Sequence, residues 1–287
     1  MTPEEIINEM GPLLSLPESV VRINELLDSP QSSAKDFGEI ISHDPALAVR
    51  LLKLVNSALY GFPAQIDTIS RAITLIGTEE LRSLVMTTSA TQVFHGIASD
   101  MIDMNVFWHR SVYCGLVAKK LAVFNRSAAG EAMFLVGLLH NIGSLLLFSR
   151  LPDQAQHILT EAERSGRPIY EIEKQKLAFD SAELGATLLK HWHLPKKLWE
   201  PVHFQHQPDV SSEYFHEAQL LSLALKITNC VEPELKTEHV ADLETLKGAE
   251  LNGQVLSEEA LELITIAANA ESFEVLSIIN PDAMLIY

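Results

Sequence analysis

The chain has 287 residues, 47% of them hydrophobic, with 38 Asp and Glu against 21 Lys and Arg for a net charge of −17. That length suits one large domain or two small ones around a sizeable core. The acid excess disfavours direct partnership with nucleic acid or an anionic membrane surface, since both need a basic footprint to displace counterions.

Cys114 and Cys230 each sit in an apolar segment. Two thiols make no disulfide framework; they read as reduced core residues of a cytoplasmic protein. The opening Met1-Thr2-Pro3-Glu4-Glu5 lacks a basic n-region followed by an apolar run, so no signal peptide is expected.

Helical signals then follow one another along the chain. Asp44-Pro45 gives a cap and a proline at the first helical position, predicting a helix over Pro45 to Ser57. Thr78, with Glu79 and Glu80, predicts a cap and two favourable charges for a helix to about Val93. A weak break at Gly96-Ile97-Ala98-Ser99-Asp100 separates an N-terminal helical lobe from a central one.

Glu131 to Ser149 is apolar nearly all round and predicts one central buried helix, too short and too polar in places for a membrane span. Gly137, His140 and Ser144 form a small polar notch on it, which needs partners. Ser165-Gly166-Arg167-Pro168 stops one helix and starts another. Asp180-Ser181-Ala182-Glu183 fits a capping pattern for a helix to about Trp192, and Leu194-Pro195 starts the next. Glu232-Pro233-Glu234 is a second weak break. From Val231 to Leu263 there are nine acidic residues and two Lys, read as a solvated face or a partner surface. Ala267, Phe273, Leu276 and Ile279 stand near helical spacing. Strand patterns are scarce, and the chain reads as all-α.

Several of these segments, taken together, resemble the HDOD family, a non-catalytic relative of the HD-domain metal-dependent phosphohydrolases. In the N-terminal lobe they are Leu16-Pro17, Ile41-Ser42-His43-Asp44-Pro45-Ala46-Leu47, Leu54-Val55-Asn56-Ser57-Ala58-Leu59-Tyr60-Gly61 and Ile69-Ser70-Arg71-Ala72-Ile73-Thr74-Leu75-Ile76-Gly77. In the central lobe they are Phe107-Trp108-His109-Arg110-Ser111, Gly137 to Ser144, Ala182-Glu183-Leu184-Gly185 and Trp192-His193-Leu194-Pro195.

The resemblance covers roughly Gly11 to Val231 and implies a multi-helical HD-domain-like core (101–231) with an additional N-terminal helical lobe (11–95). Residues 232–287 are left as an acidic helical extension. Capping and packing suffice to explain the N-terminal signature. A partner surface around Asn56, Tyr60 and Arg71 is the alternative.

The resemblance also implies a site, position by position. An active HD enzyme takes a His, then a His-Asp pair, then further His residues and a last Asp. Here the first position is Arg110, with His109 one residue early and about 100° away on a helix. The pair is His140 and Asn141, and Asn offers an oxygen but no charge. Ser144 stands for a Lys, Ser181 for a His, Gln205-His206 for a His pair and Leu225 for the last Asp.

An arginine cannot ligate a metal. His140 and His206 alone, with no carboxylate, make a weak catalytic site. Arg110 is expected to enter the vacated space and bond Asn141 or a nearby carboxylate.

His191-Trp192-His193, with His203 and His206, looks like a histidine cluster; His203 and His206 could share a helix face. No Cys or Asp sits with them in standard zinc spacing, so packing is the expectation. No nucleophile motif and no Gly-rich phosphate loop occurs.

The expectation is therefore a non-catalytic bacterial signal-transduction module that binds another signalling protein, with no catalytic residue, metal or cofactor. One alternative is a metal-dependent phosphohydrolase or phosphodiesterase acting on a nucleotide. The other is a sensor holding a small anionic ligand in the vestigial cavity, with Arg110 as the phosphate contact.

Overall fold

Helix α1 (Pro3–Met10) begins at a cap and a proline. Thr2 accepts the Glu5 amide at 3.3 Å, and the Glu5 carboxylate accepts the Thr2 amide at 2.8 Å. The computed structural model of the chain describes residues 1–29, 32–94, 102–127, 129–232 and 243–281. It is all-α apart from one short hairpin among the described residues. Two compact units emerge: Met1–Gly11 with Ile97–Ala270, and Pro12–Gly96 with Glu271–Tyr287. The segment from Glu232 onward forms no unit of its own; it groups with the larger unit through Ala270 and with the smaller one beyond.

The smaller unit holds α2 (Glu18–Leu27), α3 (Ala34–Ser42), α4 (Pro45–Val55), α5 (Ile69–Ile76) and α6 (Thr78–Phe94). Asp44 caps α4 as expected: one oxygen accepts the Leu47 amide at 3.0 Å and the other the Ser19 hydroxyl at 3.0 Å, tying the start of α2 to that of α4. Thr78 is not a cap. It is the first helical residue of α6, because Gly77 makes the turn from α5 at φ +83°. Leu47, Leu51, Leu54, Val85, Met86 and Phe94 fill the core of this unit.

In the larger unit, α7 (Met104–Phe124) packs along α8 (Gly130–Leu139), and α9 (Ile142–Arg150) follows. The single helix expected over Glu131 to Ser149 is thus corrected to two, separated by a turn at His140-Asn141. Asn141 leaves helical geometry at φ −109°, ψ 10°, and Ser144 donates to its side-chain oxygen. A short polar side chain that bonds its local surroundings competes with helix continuation. Ala132–Arg150 has the length and hydropathy of a membrane span, yet 78% of that window is buried inside the fold.

Then come α10 (Pro152–Ser165), α11 (Ile169–Leu177), α12 (Ser181–His191), α13 (Lys196–His203) and α14 (Phe215–Val231). Gly166 stops α10 at φ +68°, and Asp180 caps α12 by accepting the Glu183 amide at 2.8 Å. Strands β1 (Glu250–Leu251) and β2 (Gln254–Val255) form the hairpin, and α15 (Glu258–Ile279) ends the series. Asn252 and Gly253 turn the hairpin at φ 49° and 78°, the left-handed pair that a tight two-residue loop requires. Asn125 donates to Leu251 O at 2.8 Å and fastens the hairpin to the end of α7.

Two close helix crossings set the larger unit's geometry. A Cβ on Gly137 of α8 would stand 2.6 Å from the Gly115 Cα of α7. One on Gly143 of α9 would stand 1.9 Å from the Ser181 carbonyl oxygen of α12. Neither crossing tolerates a side chain, and together they bring α7 and α12 to either end of the His140-Asn141 turn.

Candidate functional site

His140 lies on that turn, 3% exposed, and its Nδ1 is 2.6 Å from the Gly137 carbonyl oxygen. A carbonyl only accepts, so Nδ1 carries the proton and Nε2 keeps the lone pair. Burial, then the Arg110 guanidinium, hold the ring's pKa down to about 3, with His206 adding a smaller push and the Gly137 bond opposing. His140 is therefore a neutral imidazole.

Arg110 projects from α7 and is also buried. Its two terminal nitrogens donate to the Asn229 side-chain oxygen and to the Glu232 backbone carbonyl, both at the end of α14. The expected bond to Asn141 is not what the structure gives. Asn141 is taken up by Ser144, while the end of α14 presents oxygens that its own turns leave without donors. One residue earlier, His109 faces the Glu232 carboxylate at 3.5 Å, so both residues of α7 converge on the close of α14 from different sides. Asn229, rather than Leu225 one turn before it, is the α14 residue that meets Arg110; Leu225 is a buried core residue.

The other predicted positions go separate ways. Ser181 donates its amide and hydroxyl to the same Glu173 carboxylate oxygen, at 2.8 and 2.9 Å, and Glu173 is 1% exposed. Gln205 donates to the His140 carbonyl at 3.1 Å, while its own side-chain oxygen is buried without a partner. His206 stacks on Tyr170, ring centroids 4.4 Å apart and 7° from parallel. Arg110, His140 and Gln205 thus form one buried neighbourhood, close enough for His206 to act on His140. Asn141 and Ser181 have side chains engaged elsewhere.

The histidine cluster does not form. His203 is the last residue of α13 and sets its ring edge-on to Phe204, while His206 lies beyond the helix, so the two share no helical face. Burial and then Lys190 lower the His203 pKa. His191 and His193 are exposed around the buried Trp192. Among the described residues, no group of three or more His, Cys, Asp or Glu side chains is arranged to hold a metal. Arg110, Asn141 and Ser181, bonded as they are, do not fit a metal ion in the positions that the resemblance assigns to ligands.

In the smaller unit, Asn56 is committed to structure. Its amide donates to Leu52 O and Ile66 O at 2.7 and 2.8 Å and its oxygen accepts the Ile66 amide at 2.7 Å, stitching the loop after α4 to that helix. The Tyr60 hydroxyl bonds the buried Glu80 carboxylate and its ring stacks on Phe62. Arg71 is exposed on α5. None of the three lines the cavity of about 690 Å³ formed between α2, α3 and the start of α4.

Sequence reading missed Glu173 and Asn229. Glu173 gives no signal within a charged helix, whereas Asn229 is a lone amide in an apolar stretch of α14 and could have been marked. Cys114 is buried, and that burial pushes its thiol pKa up to about 12.

Comparison with known proteins places this geometry. An "Uncharacterized protein" of Treponema pallidum is 26% identical over 214 residues, 73% of this chain. The chain spans only 40% of that relative's length. The crystal structure titled "Putative phosphohydrolase" from Shewanella amazonensis matches with a TM-score of 0.71 at 25% identity, over 96% of this chain and 97% of that one. A "Putative signal transduction protein" from Marinobacter aquaeolei matches with a TM-score of 0.64 at 20% identity, over 94% of this chain and 58% of that one. The HDOD domain family model matches residues 13–208, more than half of the chain, and the chain belongs to the HDOD domain family.

Proposed function

We propose that the chain is a non-catalytic module of bacterial, cytoplasmic signal transduction that works by binding another signalling protein. The observation that carries this reading is Arg110. The residue standing where a metal-dependent relative would place its first ligand is a guanidinium, spent on closing the end of α14. The Asn141 side-chain oxygen and the Ser181 hydroxyl are engaged with Ser144 and Glu173, and the Gln205 amide nitrogen donates to the His140 carbonyl. The signal-transduction title of the Marinobacter protein agrees with this reading.

A metal-dependent phosphohydrolase acting on a nucleotide is the second reading. It is favoured by the neutral His140, whose Nε2 lone pair suits a metal, and by the phosphohydrolase title of the Shewanella protein. A sensor of small anions using Arg110 is the third. It is weakened because both terminal nitrogens of Arg110 already have protein oxygens as partners.

Elemental mass spectrometry of protein purified without chelator or affinity-tag nickel separates these readings. Substoichiometric metal and no hydrolysis of a chromogenic phosphodiester are expected. A full equivalent of iron, manganese or zinc, lost in His140→Ala, would overturn the non-catalytic reading. Retained nucleotide affinity in wild type that disappears in Arg110→Ala would favour the sensor.

A further inference from the structure

We propose that the outward face of α15 between Glu259 and Ala270 docks a cationic amphipathic helix of another protein. The inference rests on the reading of the chain as an interaction module and supplies a surface and a partner chemistry for it.

The inward side of this helix is ordinary core: Leu261, Ile264 and Ala268 are buried. A second apolar row runs along the other side. Leu263 is 68% exposed and Ile266 65%, and Ala270 is exposed one turn further on. These stand at i, i+3 and i+7, the seam spacing by which one helix takes another. A helix with apolar residues on opposite sides is built to be covered twice. Among the other described residues of the larger unit, exposed large apolar side chains such as Val106 and Val123 do not form such a row within one stretch of helix.

Charge selects the occupant. Glu259 and Glu262 flank the row, both exposed and neither in an ion pair among the described residues. From Gly248 to Tyr287 the sequence contains no Lys, Arg or His. The nearest cation in sequence, Lys247, is held by Glu244 and Glu258 at 3.2 and 2.8 Å. The complement of an apolar row with acidic edges is a helix with an apolar row and basic edges. A second copy of this chain would bring acidic rims together on molecules that each carry −17.

The test uses the full chain and two synthetic helices with the same leucine row, one flanked by Lys and the other by Glu, followed by fluorescence anisotropy. The Lys-flanked helix should bind wild type. Leu263→Ser with Ile266→Ser, both solvent-exposed changes, should weaken it at least about tenfold. Val123→Ser should leave binding unchanged, and Glu259→Lys with Glu262→Lys should transfer preference to the Glu-flanked helix.

Equal binding of the Lys-flanked helix to wild type and to the double serine variant, or no binding to either, would overturn the proposal. So would sedimentation showing a wild-type dimer that the serine variant dissociates, since the face would then serve self-association. Each of those results leaves the metal and hydrolysis measurements untouched. A turning-over metalloenzyme would instead remove the interaction-module reading, whatever α15 binds.

Discussion

Arg110 and His140 share one buried neighbourhood of the larger unit, the first a permanent cation and the second a neutral ring. Arg110 supplies the positive charge and joins α7 to the end of α14, where carbonyls lack intrahelical donors. Replacing it with Met leaves Asn229 and the Glu232 carbonyl unpaired, and urea unfolding should show a loss of about 2–4 kcal/mol. Arg110→Lys should recover part of that, since an ammonium lacks the planar fork that reaches two oxygens at once. A change within experimental error in Arg110→Met would show that the contact holds nothing.

His140 is held neutral in the fold, with its pKa below the ordinary value of 6.5 and near 3. Between those values the unfolded chain binds more protons than the folded one, so this group's contribution is present above pH 6.5 and is lost as pH falls toward 3. His140→Asn, which keeps a donor for the Gly137 carbonyl, should flatten the acid side of the stability profile in that window. Parallel profiles for the two proteins would contradict the assignment.

At the scale of elements, the site exists because two helices end where one would have continued. The turn at His140-Asn141 aims the His140 ring at Gly137 and its carbonyl at Gln205, which a straight helix would bury in its own ladder. The turn's position is fixed by glycines on either side. Gly143→Ala drives a methyl against the Ser181 carbonyl and the Gly185 amide, backbone atoms that cannot rotate away. It should cost about 3 kcal/mol or more by thermal or chemical unfolding, at the upper end of overpacking effects. Gly11→Ala, where an added methyl meets nothing within 4 Å, is the control and should change stability little.

For the whole molecule, packed structure extends beyond the part matched by the family model. Residues 13–208 match, yet α15 buries Leu261, Ile264 and Ala268 in its first half and Val275, Leu276 and Ile279 in its second. In the smaller unit, Thr91 donates to the Ile279 carbonyl at 2.9 Å and the Ala58 amide donates to the Glu274 carboxylate at 3.1 Å. A chain cut after Ser257 loses all of these contacts. It should express as aggregated protein or unfold at a clearly lower temperature by calorimetry; a soluble fragment with unchanged melting would show that α15 is dispensable.

What the sequence determined by itself was local or periodic. Asp44 and Asp180 cap helices because the cap and the amide it serves are three residues apart, and apolar spacing marked the buried faces of successive helices for the same reason. The HDOD motifs were legible as runs of neighbours. Even the Asn252-Gly253 turn was written in a dipeptide, though it went unmarked against a helical background.

Tertiary structure decided the partners. Arg110 meets a carbonyl 122 positions away, and a backbone carbonyl has no sequence signature that would attract a prediction. Ser181 finds Glu173, and Gly143 finds Ser181, only once α9, α11 and α12 are packed. Side-chain identity sets what a residue is able to bond; the crossing of helices far apart in the chain sets which atom comes within reach.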